Sequence, residues 1–369
     1  MTKKIAKYFL TAGMFLTLSA SVAAQTLTAG FYRIQNKVTK RYMKVIDNKG
    51  ELNMQTTTPD LAALITVSAD VVPAADAATV VYINPVGGEQ YNVLAQGADM
   101  HGIIGYYIRF KGNSATPTVW RAYQTDSGYT VYLDDTDFSD DEGRVMTNDS
   151  STRDWYITPI TSTGTNYVGV QPTVQVGDKY YALYYASYSY KLASVGMHAY
   201  YVSYTDREGC NLKEITGTIP PATPVVIECS SNNPSDNRLE LQSATGTSLE
   251  NNKLTGVYFN IKKGTKHINR VAYDKNTMRM LGTLPDGSLG FVTSDIDYIP
   301  MNTGYLNVPS ASNANITIDL KDAIESVSAS EKKSSATIYT IDGINTGTTD
   351  ATQLTKGIYI QNGKKFEVQ

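Results

Sequence analysis

The chain has 369 residues, 32 basic and 35 acidic, for a formal charge of −3, so it carries no basic excess to attract a polyanion. That balance argues against DNA, RNA or an anionic membrane as the main partner, because each rewards a positive field. The 27 tyrosines, with abundant Thr, Ser, Val and Gly, favour strands and polar turns and predict an all-β fold.

The first element predicted is a leader. Lys3, Lys4 and Lys7 form a positive start, Phe9 to Leu18 an apolar run, and Val22, Ala23 and Ala24 supply small residues before Gln25. This order predicts a signal peptide over 1–24, cut at Ala24/Gln25. The apolar run falls short of the roughly 20 residues that span a bilayer, and no later stretch reaches that length. The mature chain is therefore expected to hold no integral membrane segment and to be extracytoplasmic, secreted or on the outer cell surface, with the periplasm as the alternative. Three domains are expected after the leader: 25–160, 165–321 and a short module over 322–369.

Within 25–160 the short strand candidates are 30–35, 42–46, 64–68, 79–84, 91–95, 106–110, 118–123, 129–133 and 155–160. Gly, Asn, Asp and Pro separate them, as in Asp47-Asn48-Lys49-Gly50 and Pro85-Val86-Gly87-Gly88. Such spacing without helical periodicity predicts a barrel or a sandwich. Gly30-Phe31-Tyr32-Arg33-Ile34-Gln35-Asn36, followed by Lys40-Arg41-Tyr42-Met43-Lys44-Val45, resembles the opening of a ricin-type β-trefoil module. Segments around Tyr91 to Gly97, Tyr129 to Asp134 and Trp155 to Ile157 take comparable places in the later lobes. The ricin family often closes a lobe with Gln-x-Trp, where this chain has Arg153-Asp154-Trp155. What the resemblance implies is a carbohydrate site built from Asp47, Asp134, Asn148 and Trp155, with Trp155 either an aromatic platform or a core residue.

Residues 165–321 open on the tyrosine-dense stretch Tyr180 to Tyr204. Period-two placement along 211–216, 224–229, 256–260, 270–273, 277–282, 290–292, 304–308 and 316–320 predicts a β-sandwich. Adjacent tyrosines point to opposite faces, so they either fill two packed layers or present an interaction surface. Cys210 and Cys229, the two cysteines of the chain, bracket a predicted hairpin and are either a disulfide or two buried thiols. This region is similar to sandwich modules in surface proteins of gut-type Bacteroidetes, where a segment like Ala199-Tyr200-Tyr201-Val202 precedes ones like Leu212-Lys213-Glu214-Ile215 and Ile219-Pro220-Pro221-Ala222-Thr223-Pro224.

The final stretch has strand candidates at 338–341 and 357–361, with turn signals at Gly343 and Asn362-Gly363. Ala336-Thr337-Ile338-Tyr339-Thr340-Ile341-Asp342-Gly343 and Leu354-Thr355-Lys356-Gly357-Ile358-Tyr359-Ile360 resemble the C-terminal β module of exported Bacteroidetes proteins. That resemblance implies a sorting role in type IX secretion and contact with the export machinery.

Six carboxylates crowd the run from Asp134 to Glu142. A solvated turn is the expectation for it and structural calcium the alternative, because the EF-hand glycine is missing. The three histidines are scattered, so no metal site and no cofactor are predicted. His-Glu-x-x-His, Gly-x-Ser-x-Gly and phosphate-loop patterns are missing, which weighs against catalysis without excluding it. The reading that results is noncatalytic recognition of a glycan or glycoprotein, or substrate capture, at a bacterial surface. A structural or adhesion protein and a glycan-processing enzyme are the alternatives.

Overall fold

The computed structural model describes residues 25–48, 64–69, 71–101, 107–113, 115–126, 128–139, 142–148, 151–206, 209–243, 249, 251–263, 267–308, 315–319, 338–340, 346, 348, 354–361 and 364–368. The leader over 1–24, residues 320–337, and the turns at Gly343 and Asn362-Gly363 lie outside them. Over the described residues the chain is all-β, its strands gathered into several sheets.

The first sheet holds β1 (Gly30–Asn36), β2 (Tyr42–Val45), β3 (Leu64–Val67), β4 (Val81–Gly87), β5 (Gln90–Ala95) and β6 (Ala98–Asp99). It continues with β7 (Ile108–Asn113), β8 (Thr116–Asp126), β9 (Tyr129–Ser139), β10 (Glu142–Asn148) and β11 (Asp154–Pro159). Six of these close a ring, β1–β4–β5–β7–β8–β11, through the antiparallel pairs Phe31↔Tyr82, Ile83↔Val93, Tyr91↔Ile108, Phe110↔Ala122, Trp120↔Trp155 and Ile157↔Ile34. β2, β3, β10 and β9 run on from β1 and return to β8. Side chains alternate across a strand, and the inward set, including Ile34, Ile83, Val93, Phe110, Leu133, Val145 and Trp155, forms one core.

β1 is covered on its outer face as well. Arg33 is 1% exposed, and its guanidinium donates to Thr79 Oγ1 (2.9 Å), Asn166 Oδ1 (2.8 Å) and the carbonyls of Tyr167 (2.7 Å) and Pro73 (3.1 Å). A buried cation is tolerated where its donors are met this fully.

The second region contains β12 (Val168–Gly169), β13 (Val174–Val176), β14 (Lys179–Tyr184), β15 (Ser189–Leu192), β16 (His198–Thr205), β17 (Gly209–Glu214), β18 (Val225–Cys229) and β19 (Arg238–Gln242). After them come β20 (Leu254–Val257), β21 (Ile261–Lys263), β22 (His267–Asn269), β23 (Met278–Thr283), β24 (Leu289–Val292), β25 (Thr303–Asn307) and β26 (Ile316–Asp319). The larger sheet runs β13-β14-β18-β16-β17-β26-β24-β23-β25-β20, and β12-β19-β15 form a smaller one. On one face of the larger sheet Ala182, Tyr184, Ala199, Val225 and Ile227 meet Val168, Tyr190 and Leu239 of the smaller. On the opposite face Tyr181, Leu183, Val202 and Leu212 pack with Leu281, Phe291, Leu306 and Ile316. The tyrosine-dense stretch thus divides between two cores by strand parity: Tyr181 goes to one, Tyr184 and Tyr190 to the other. At the end of the chain β27 (Tyr339–Thr340), β28 (Gly357–Gln361) and β29 (Lys364–Val368) pair as a small sheet.

Three expectations are corrected here. The acidic run is strand as far as Ser139, and Asp134 and Asp135 are buried rather than solvated. Arg41 Nε donates to Asp135 Oδ2 at 3.0 Å and Thr66 Oγ1 to Oδ1 at 2.5 Å, which fixes that carboxylate inside. Asp140 and Asp141 lie outside the described residues.

Cys210 and Cys229 are both free and buried. β16 pairs with both β17 and β18 and lies between them, so the predicted hairpin does not form. Cys210 stands opposite Thr205 of β16, whereas Cys229 lies one residue past the pair His198↔Glu228, so the thiols sit at opposite ends of β16, roughly 26 Å apart along it, and in different cores, far beyond the roughly 7 Å Cα reach of a disulfide.

The strand expected over 256–260 ends at Val257. Residues beyond it leave the sheet, and Phe259, 4% exposed, joins the core of the first sheet. The β21–β22 hairpin that follows reaches the same neighbour, where Lys263 pairs with Glu142, His267 Nδ1 lies 3.2 Å from Asp47 Oδ2, and Asn269 Nδ2 donates to Asp47 Oδ1 at 2.9 Å.

Candidate functional site

The residues nominated by the trefoil resemblance do not assemble into a surface site. Trp155 is 0% exposed and its indole donates to the Leu133 carbonyl at 3.0 Å, so it is a core side chain without a face for a ligand. Asp134 is also 0% exposed, with Thr152 Oγ1 at 3.3 Å. Asp47, 1% exposed, is occupied by His267 and Asn269. Asn148 pairs with Tyr132 along β10, and its side chain is outside the described set. As a sugar site this constellation is therefore corrected: three of its members serve the interior.

A different constellation faces outward. Strand parity sends Tyr32, Ile83 and Val93 inward, and the residues of opposite parity form a row across four strands, with register Phe31↔Tyr82↔Leu94↔Asp99 over β1, β4, β5 and β6. The row is the floor of a cleft of about 390 Å³. Its opposite wall comes from the second region, where Ser187, Tyr188, Ser189, Pro221, Gln242 and Ser243 face it.

The aromatic geometry is a corner. The rings of Phe31 and Tyr82 are 5.0 Å apart at 61°, and those of Phe31 and Tyr188 6.0 Å apart at 71°. Edge-to-face rings of this kind hold one another in place; Phe31 and Tyr82 are half-buried on the floor, whereas Tyr188 is only 5% exposed and belongs to the core of the second region. Burial pushes the Tyr188 phenol well above its ordinary range, so it stays neutral, and its oxygen lies 2.7 Å from that of Tyr184. Asp99 is exposed at one end of the row, and its Oδ1 accepts from the His101 backbone N–H at 3.0 Å. The described lining holds this one carboxylate, no Lys, Arg or His, and the side-chain amide of Gln242 with three serines. Such a cleft can stack an apolar face and exchange hydrogen bonds at its rim.

Its walls meet through a built seam. Gln96 and Asn302 bond to each other, Tyr258 stacks on Tyr185 with centroids 4.2 Å apart, and Tyr258 lies against Gly97 of the cleft. A Cβ at Gly97, whose φ is +70°, would stand 3.1 Å from the Tyr258 ring.

No family model, curated protein or solved structure matches this chain.

Strand parity marks Phe31, Tyr82 and Leu94 in the sequence as large apolar residues on the face opposite the core of the first sheet. Tyr188 belongs to the tyrosine stretch already singled out. What joins the two groups is contact between residues more than a hundred positions apart, for which the sequence holds no local sign.

Among the described residues no group of three or more His, Cys, Asp and Glu side chains is placed to hold a metal ion, and no helix is long and apolar enough to cross a membrane.

Proposed function

We propose that this is an extracytoplasmic, noncatalytic glycan-recognition protein whose ligand enters the cleft over Phe31, Tyr82 and Leu94. The observation that carries the reading is the aromatic corner with a polar rim. A pyranose presents apolar C–H faces together with hydroxyls, and it needs ring faces to stack on and nearby acceptors and donors. Phe31 and Tyr82 supply the first, braced from behind by the buried Tyr188, and Asp99, Gln242 and the serines the second.

On this reading the closed six-stranded ring is a trefoil-like barrel, and the two facing sheets of the second region are a sandwich. The strand pairings and the two-sided cores support both assignments. The leader pattern supports export, and the resemblance of the last module to Bacteroidetes sorting domains supports delivery to the cell surface.

A glycan array probed with residues 25–369 tests the proposal. The expected result is reproducible binding that survives high salt, because the cleft has little charge, and that falls at least tenfold in Tyr82→Ala at an unchanged unfolding midpoint. Absence of binding across host, plant and microbial glycans, or full binding by Tyr82→Ala, would favour the adhesion alternative.

A further inference from the structure

The cleft is more apolar than a fully hydroxylated sugar would require. Leu94, Val80, Ala95, Ala98 and Pro221 share the lining with the three rings, and its polar groups are few and sit toward one end, at Asp99, or on the opposite wall. The floor explains this segregation. Register places Phe31, Tyr82 and Leu94 in consecutive strands and Asp99 last, so a ligand lying along the row has three apolar neighbours before it meets a carboxylate.

A hexose hydroxyl turned toward Leu94 or Val80 would lose its water and gain no partner. A methyl group in the same place would lose nothing and bury apolar area. The charge pattern adds a second constraint: with Asp99 at the rim and no cationic side chain in the described lining, a sugar carboxylate would meet repulsion and no counter-charge. The mutually tilted rings add a third. Faces at 61° and 71° to one another enclose a corner, whereas a platform for the middle of a polysaccharide needs its rings exposed along one plane.

Resting on the glycan-binding reading, we infer that the cleft selects a chain-terminal, uncharged sugar carrying a methyl-bearing substituent, either an N-acetyl group or a 6-deoxy carbon, with that methyl against Leu94 and Tyr82 and the ring hydroxyls toward Asp99 and Gln242. Leu94 is the specificity-determining residue. It is exposed on β5, so its replacement leaves the core intact.

The test is calorimetric titration of residues 25–369 with free sugars in matched pairs: N-acetylglucosamine against glucose, D-fucose against D-galactose, and L-rhamnose against L-mannose, with glucuronic acid as the charged control. One methyl in an apolar pocket discriminates by about 10- to 200-fold. The expected result is that the methyl-bearing member of at least one pair binds tenfold or more tightly, that glucuronic acid fails to compete, and that Leu94→Asn brings the ratio close to one while the hydroxylated member still binds. The pair showing the preference separates the N-acetyl source of the methyl from the deoxy source. Binding with equal affinity within every pair, or an unchanged ratio in Leu94→Asn, overturns the selectivity and leaves glycan binding standing. Absence of binding by every sugar, with array binding also absent, overturns both.

Discussion

Gln96 and Asn302 donate to each other through their side-chain amides, Gln96 Nε2 to Asn302 Oδ1 at 2.9 Å and Asn302 Nδ2 to Gln96 Oε1 at 2.8 Å. Both residues sit at positive φ, +50° and +54°, which is unusual for side chains other than glycine. Two strained turns from opposite regions are thus locked face to face beside the cleft.

This reciprocal pair makes the seam cooperative. Gln96→Ala or Asn302→Ala removes the reciprocal bonds and leaves the remaining amide only its bond to a carbonyl, Asn302 Nδ2 to Tyr185 at 3.1 Å or Gln96 Nε2 to Tyr258 at 3.3 Å, and is expected to destabilise the chain by about 1–3 kcal/mol. The double variant should cost less than the sum of the two, as coupled groups do. Urea unfolding of the four proteins measures the coupling; strict additivity would show that the pair contributes nothing.

Phe259 ties the second region into the first core. Phe259→Ala is expected to lower stability by about 3–5 kcal/mol, the usual cost of deleting a buried aromatic ring. Since the same contact is missing from a fragment of residues 25–160, that fragment should be cleaved by a broad protease much faster than the same residues within the full chain. Equal cleavage rates would show that the first sheet needs no help from Phe259 or the β21–β22 hairpin.

Gly143 leaves room for the buried carboxylate of Asp135. A Cβ there would lie 2.5 Å from Thr66 Oγ1 and 2.7 Å from the Arg41 guanidinium carbon, and closer still to Asp135 itself. Gly143→Ala is expected to cost about 1–3 kcal/mol by overpacking a site with no slack. A stability within about 0.5 kcal/mol of wild type would contradict the packing described.

The cysteines give a pH dependence. Burial pushes both thiols from 9.0 up to about 12, and it raises the phenols of Tyr184, Tyr188 and Tyr190 as well. A group whose folded pKa is raised binds its proton more tightly in the native state, so its contribution is fully present below the unfolded value and is lost as pH rises. Unfolding midpoints should therefore hold level up to about pH 9 and fall between there and pH 12. Alkylation at pH 8 should stay slow until the protein unfolds, and intact mass after oxidation should show two free thiols. A native disulfide would contradict the strand order.

Much of the fold was legible because strand parity is local. Candidates 42–46, 91–95, 290–292 and 357–361 lie within about a residue of β2, β5, β24 and β28. Failures came where distant partners override local chemistry. Asp134 and Asp135 read as a turn because the groups that hold Asp135, Arg41 and Thr66, lie far away in sequence. Cys210 and Cys229 read as a hairpin pair because nothing local announces that β16 will intervene. Val257 to Phe259 reads as continuous strand, and only a neighbouring core explains why the chain leaves the sheet there. The candidate site divides the same way: Trp155 reads from sequence as platform or core residue and is buried, while the row of Phe31, Tyr82, Leu94 and Asp99 needs the register of four strands before it exists.

The most direct measurement is a structure of residues 25–369 with the best-binding saccharide of the array. The expected result is a terminal sugar in the cleft, one face against Phe31 or Tyr82 and its hydroxyls toward Asp99 and Gln242. A saccharide bound elsewhere on the protein, with this cleft empty, would contradict it.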